Sequence, residues 1–202
     1  NEFQNESVDF KNVTRDFFNK NNGKLFPDTY LIPKGSTPEQ VLEIFLHNFK
    51  QKISEQWWSE AAKQDITPEQ VLIIASLVER EGKYENDRPI IADIIIKRWK
   101  EKIPLQIDAT VQYVLGEQNK SQGGTWWKKE LTFDDLKTDS TYNTYLYPGL
   151  PPAPISNPGL LSIKAGIFPT KTPYYYYLSD KNGKIHYGKT LDEHNENIRK
   201  YL

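Results

Sequence analysis

Thr67-Pro68-Glu69-Gln70-Val71-Leu72-Ile73-Ile74-Ala75-Ser76-Leu77-Val78-Glu79-Arg80-Glu81-Gly82 is the stretch on which the fold turns. It opens with a complete helix start. Thr67 caps, Pro68 takes the first helical position, and Gln70 closes a capping box. From Val71 to Val78 the segment is apolar nearly all round, which marks a buried helix rather than a surface one. Val71, Ile74, Val78 and Glu81 share one stripe, while Glu79 continues a second stripe through Leu72 and Ala75. Gly82 is a natural stop.

Two carboxylates therefore end an apolar helix. Desolvation and the negative end of the helix dipole both favour the protonated form of such a group. A carboxylic acid still protonated near neutral pH is what a glycosidic oxygen needs to become a leaving group. Residues two apart point to different sides of a helix, so at most one of Glu79 and Glu81 faces a cleft. Geometry does not choose between them. The bland alternative is a surface glutamate paired with Arg80, Arg88 or Lys83.

Working outward, Thr37-Pro38-Glu39-Gln40-Val41-Leu42 repeats the same helix-start grammar and predicts a helix to about Trp58. The flanking sequences do not match, so this is grammar used twice and not a structural repeat. A third helix is expected from Asp87–Pro89 to the basic 97–102 stretch. Leu105 to Val111 reads as an extended segment or loop leading into a short helix that ends at Gly116, followed by a polar loop over 117–129. Thr132–Leu136 reads as a capped turn. The tract Tyr147-Pro148-Gly149-Leu150-Pro151-Pro152-Ala153-Pro154-Ile155 suits neither helix nor central strand. Asn157-Pro158-Gly159 opens a helix from Leu160 to Ile167. Tyr174–Leu178 and Ile185–Tyr187 form a hairpin, and Leu191–Leu202 is helical. The class expected is α+β: helix-rich, with a small β-hairpin and long ordered loops. Residues 1–22 are read as a polar lead-in and 23–202 as the folded domain.

Composition narrows the function. A net charge of −1 over 202 residues argues against binding built on phosphate contacts, so nucleic acid is not an expected partner. The absence of cysteine removes disulfides and thiolate metal sites, and the three histidines have no paired spacing, so no metal and no cofactor are expected. No run of about 18 apolar residues is present to span a membrane. The chain begins at Asn1 rather than Met, which fits a fragment cut from a longer protein whose export signal or anchor has been removed.

Two constellations suggest a polyhydroxylated ligand. Gln106, Asp108 and Thr110 lie at alternate positions, so an extended backbone presents them on one face. A set of turn and cap residues is the equal alternative. Tyr142, Asn143, Thr144 and Tyr145 offer amide and hydroxyl groups beside aromatic faces, and Pro151, Pro152 and Pro154 would keep such a wall rigid.

The chain resembles the catalytic domain of the endolytic murein transglycosylase family (MltG, also called YceG-like). The matching words are Leu25 to Tyr30, Ile74 to Glu81, Leu105 to Val111, Tyr142 to Tyr145, Gly149 to Pro152, Asn157 to Gly159, Lys171 to Tyr174 and His194-Asn195. They occur in family order and cover roughly residues 23–202. The resemblance implies cleavage inside peptidoglycan glycan strands without water, leaving 1,6-anhydro-N-acetylmuramoyl ends. It places the acid/base on the second carboxylate of the Glu-Lys/Arg-Glu word, Glu81, with Glu79 and Arg88 in support. Gln106, Asp108, Thr110, Tyr142, Asn143, Thr144, Tyr145, Pro151 and Pro152 are its candidate substrate-binding residues.

The implied partners are peptidoglycan strands and cell-wall synthases. The implied location of the full-length protein is the outer face of the bacterial cytoplasmic membrane, with this fragment soluble. The family's N-terminal membrane helix and LysM-like subdomain have no counterpart in the sequence. The family commonly has Thr, Ser or Ala at the position of Gly82, Pro at that of Ala109, and Glu at that of Asn22. Two rival readings remain: a hydrolase in which Asp108 activates water, and a non-catalytic glycan-binding scaffold.

Overall fold

The computed structural model describes Phe17 and residues 20–202. The expected lead-in over residues 1–22 lies almost wholly outside them. Seven α-helices and one hairpin follow among the described residues: α1 (Pro38–Lys52), α2 (Glu55–Ala62), α3 (Pro68–Glu81), α4 (Arg88–Lys100), α5 (Asp108–Ser121), α6 (Leu160–Ile167), β1 (Tyr176–Ser179), β2 (Ile185–Gly188) and α7 (Leu191–Tyr201). The α+β class is as expected.

Helix α3 is the axis. Every residue from Val71 to Val78 is buried, and α2, α4, α5 and α6 pack around it. Burying an aliphatic side chain stabilises by roughly 1.5–3 kcal/mol, so this one helix supplies much of the hydrophobic drive. Its start is as read: Thr67 Oγ1 accepts from the Gln70 N–H at 3.3 Å while Gln70 Oε1 accepts from the Thr67 N–H at 2.8 Å. The Thr37–Gln40 pair does the same for α1.

Two expectations fail locally. The helix from Pro38 does not run to Trp58. It stops at Lys52, Ile53 turns extended to bury its side chain, and Ser54 caps α2 through the Gln56 N–H. Burial of one isoleucine and a good cap residue together outweigh helix continuity. Helix α5 likewise starts at Asp108 and passes through Gly116 to Ser121. That glycine is a packing residue: a Cβ there would lie 2.2 Å from the Trp126 ring, so the indole needs a residue without one. The polar loop is correspondingly shorter than expected.

The hairpin pairs antiparallel in the register Tyr176↔Gly188, Tyr177↔Tyr187, Leu178↔His186 and Ser179↔Ile185. Helix α7 packs on it. The proline-rich tract is tied to α3 by Ser76, whose Oγ accepts from the Ile155 N–H at 3.1 Å and donates to the Ile73 carbonyl at 2.7 Å. Ser76→Ala leaves the buried Ile155 N–H without its acceptor. Urea unfolding is expected to show a loss of about 1–3 kcal/mol, the cost of one unsatisfied buried donor.

Candidate functional site

A cavity of about 650 Å³ opens where the C-terminal end of α3 meets the start of α5, the hairpin and α7. Glu81, Arg98, Gln106, Asp108, Tyr145, Tyr176, Tyr177 and His194 line its polar wall, and Leu105, Ile107, Leu178, Leu191, Ile198 and Leu202 supply the apolar remainder. The volume and the mixture are those of a small-molecule or oligosaccharide site.

The two glutamates separate as helical spacing requires. Glu79 turns away from the cavity. Its Oε2 accepts from Ser162 Oγ at 2.7 Å, from Arg88 Nη1 at 3.0 Å and from the Gly159 N–H at 3.1 Å. Arg88 also reaches Ser162 Oγ at 2.8 Å, and through Nε the Gly82 carbonyl at 3.2 Å. Glu79 is thus pinned to α4 and α6, and Gly82 to α4, on either side of the Arg80-Glu81 pair. Gly82 makes this possible. A Cβ there would lie 2.7 Å from Arg88 Cγ and 3.1 Å from the Val78 carbonyl, so the arginine packs across the helix end only because position 82 is glycine.

Glu81 is half-buried and faces the cavity. Burial, and secondarily the charge of Asp108, push its carboxyl up to about 7 from the ordinary 4.5. Three groups oppose the shift: the Tyr177 hydroxyl, which donates to Glu81 Oε2 at 3.3 Å, the Arg80 charge, and the Ala109 N–H in the first turn of α5. A proline at position 109 would have no N–H to give, so this backbone donor to Glu81 depends on the residue there not being proline. Tyr177, itself pushed far up by burial and by Glu81, stays a hydrogen-bond donor throughout the neutral range.

The expected row of Gln106, Asp108 and Thr110 is not a row. Gln106 has φ +54°, Ile107 is extended, and Asp108 and Thr110 stand in the first turn of α5. Gln106 and Asp108 reach the cavity. Thr110 is buried and bonds the Ile107 carbonyl at 2.7 Å and Thr144 Oγ1 at 3.0 Å. Of the 142–145 group, Tyr145 alone lines the cavity, its hydroxyl donating to Asp108 Oδ1 at 2.5 Å. Tyr142 packs against Tyr113 at 5.0 Å. Asn143 Nδ2 donates to the carbonyls of Leu136 and Thr138, each at 2.9 Å, and Thr144 Oγ1 accepts from the Ile107 N–H at 3.0 Å. These residues brace the wall from behind. Pro151 is buried outside the cavity, and Pro152 lines a groove beside Leu72 and Ile73, roughly 13 Å along α3 from Glu81 at ~1.5 Å per residue.

Arg98, Tyr176, Tyr177 and His194 are cavity residues that reading the sequence did not single out for the site. Arg98 sits in what reads as an ordinary basic helix end. The tyrosines belong to a run, Tyr174 to Tyr177, that reads as a plain strand. His194 was visible only as part of a family word. No group of three or more His, Asp or Glu side chains among the described residues is arranged to hold a metal ion, and no helix among them is long and apolar enough to cross a membrane.

The model of the YceG-like family matches residues 2–200. The chain belongs to the YceG-like family. It is 39% identical over 197 residues to a Bacillus subtilis (strain 168) protein named endolytic murein transglycosylase, an alignment that covers 94% of this chain and 52% of the relative. A protein of the same name from Streptococcus pneumoniae serotype 2 (strain D39 / NCTC 7466) is 32% identical over 183 residues, covering 89% of this chain and 32% of that one. A crystal structure of a yceG-like protein from Listeria monocytogenes superposes with a TM-score of 0.76 at 36% identity, over 86% of this chain and 54% of that one. This YceG-like chain therefore spans about half the length of the Bacillus relative and about a third of the Streptococcus one.

The Glu81 shift carries a stability signature. Because folding raises this pKa, it favours the neutral carboxyl. That contribution is whole below about pH 4.5 and is lost as pH rises through about 7. Glu81→Gln, neutral at every pH, is expected to gain on the parent chain by up to ~3 kcal/mol between pH 4 and pH 8 in denaturant titrations. A difference that does not change with pH would contradict the shift.

Proposed function

We propose that this chain is the catalytic unit of an endolytic lytic transglycosylase, cleaving between N-acetylmuramic acid and N-acetylglucosamine within peptidoglycan strands. The observation that carries the reading is Glu81, a carboxyl that keeps its proton near neutral pH at the wall of an oligosaccharide-sized cavity. Membership of the YceG-like family and the printed names of the relatives support the substrate class.

In the proposed reaction, protonated Glu81 donates to the glycosidic oxygen, and the N-acetylglucosamine leaves as a free alcohol. Positive charge develops at the muramoyl C1. The C6 hydroxyl of the same sugar attacks C1, and its proton passes to the Glu81 carboxylate. The anhydro ring closes, no water is consumed, and Glu81 ends protonated as it began. Tyr177 and the Ala109 N–H hold the transient carboxylate, so one residue serves as acid and then base. Glu79 and Arg88 fix the helix end, while Gln106, Asp108 and Tyr145 position the sugar.

A hydrolase reading draws on Asp108, a second carboxylate in the same cavity. Its Oδ1 is already occupied by Tyr145, which favours a positioning role over activation of water. The proposed setting is the outer face of the bacterial cytoplasmic membrane, where the glycan is found, alongside the synthases that extend it.

Glu81→Gln is expected to fold and to release no anhydromuropeptides from purified sacculi, while for the parent chain kcat/KM falls as pH rises above about 7. Mass spectrometry of the products separates the readings. Products heavier by one water support hydrolysis, and retained activity in Glu81→Gln removes this residue from the chemistry.

A further inference from the structure

Tyr177, whose hydroxyl donates to Glu81, stands opposite Tyr187 in the hairpin register. Residues directly opposite across an antiparallel pair put their side chains on one face. The Tyr187 hydroxyl donates to Asp87 Oδ1 at 2.6 Å. Glu81 ends α3 and Asp87 is the residue before α4, so one cross-strand tyrosine pair grips both ends of the connection between these helices. A third contact lies between the two: Lys83 Nζ donates to the Asn182 carbonyl in the hairpin turn at 2.9 Å.

Asp87 gives up an ordinary role to do this. An aspartate at a helix start usually accepts from the N–H groups of the first turn, and Asp87 makes no such bond. Pro89 has no N–H to offer it, and the carboxylate goes to Tyr187 instead. Burial, then the bond to Asp87, push the Tyr187 hydroxyl far above its ordinary range, so it stays a donor across neutral pH. Its ring is held by Tyr174, stacked at 5.1 Å and 18°. The bond from Tyr177 to Glu81 is long by contrast, at 3.3 Å, so a small displacement of β1 would break it.

We propose that Tyr187 is a positioning residue: anchored on Asp87, it sets the hairpin so that its strand partner Tyr177 keeps a hydroxyl on Glu81. It acts from outside the cavity wall. This deepens the transglycosylase reading and rests on it in taking Glu81 as the reacting group. The groups that act on Glu81 are Asp108 and the Ala109 N–H of α5, Tyr177 of β1, and Arg80 of its own helix. Tyr187 faces Asp87 and Tyr174, so its effect on Glu81 passes through Tyr177.

The test follows the Glu81 carboxyl carbon by 13C NMR through a pH titration of the labelled chain, which needs no turnover. Tyr177→Phe removes a donor to the carboxylate and is expected to raise the midpoint by about half a pH unit or more. Tyr187→Phe, which keeps its ring, should raise it by at least about half as much, and the double variant no further than Tyr177→Phe alone. Asp87→Asn, whose carbonyl still accepts the hydroxyl, should keep the parent midpoint. A Tyr187 that only stabilises the fold would lower the urea midpoint and leave the Glu81 titration where it was. An unmoved midpoint in either single variant, additive shifts in the double variant, or Asp87→Asn titrating like Tyr187→Phe would overturn the role. Release of anhydro products from sacculi by the parent chain is measured separately. Cleavage with an unmoved midpoint in Tyr187→Phe sinks the positioning role alone, and a moved midpoint without cleavage sinks the transglycosylase reading alone.

Discussion

The constraint on which the rest of the structure depends is the burial of α3 from Val71 to Val78. A helix enclosed by α2, α4, α5 and α6 cannot shift or fray, so the position of its last turn is fixed by the whole core. The same enclosure strips part of the water from the carboxyl that ends it. Position and protonation of Glu81 thus have one cause. Glu79 completes the arrangement from the other side, since its three hydrogen bonds lock the turn to α4 and α6 and leave Glu81 as the carboxylate of α3 that faces the cavity.

The start of α5 meets the C-terminal end of α3 at this point, and the first turn of α5 acts on Glu81 in two opposite senses. Asp108 raises the carboxyl pKa by its charge, while the backbone N–H of the next residue lowers it. In the proposed reaction Glu81 gives a proton and then takes one back, and such a balance serves both steps. A carboxyl driven far above neutrality would be a poor base, and one near its ordinary value a poor acid. Tyr145, by bonding Asp108, fixes where the negative charge of that neighbour sits.

Much of this was legible in the sequence. The capping boxes at Thr37 and Thr67, the burial of α3, the stop at Gly82 and the hairpin all follow from local physics, because caps, periodicity and turn residues act over a few positions. What the sequence hid depends on distant partners. Gly116 reads as a helix stop because Trp126, ten residues later, is invisible to local pattern. The extended row through Gln106, Asp108 and Thr110 fails because Thr144 draws both the Gln106 N–H and Thr110 into place across 34 or more residues. Arg98, Tyr177 and His194 come to the cavity only through tertiary packing, so their sequence neighbourhoods look ordinary. The choice of Glu81 over Glu79 came from family resemblance. The physical separation of the two became visible with the Arg88 and Ser162 contacts.

The central claim, that burial at the end of α3 keeps a proton on Glu81 near neutrality, is open to one direct measurement. The side-chain carboxyl carbon of Glu81 can be followed by 13C NMR across a pH titration of the isotopically labelled chain, with Glu81→Gln assigning the resonance. The account predicts a midpoint at about 7. A midpoint near the ordinary glutamate value of 4.5 would contradict it.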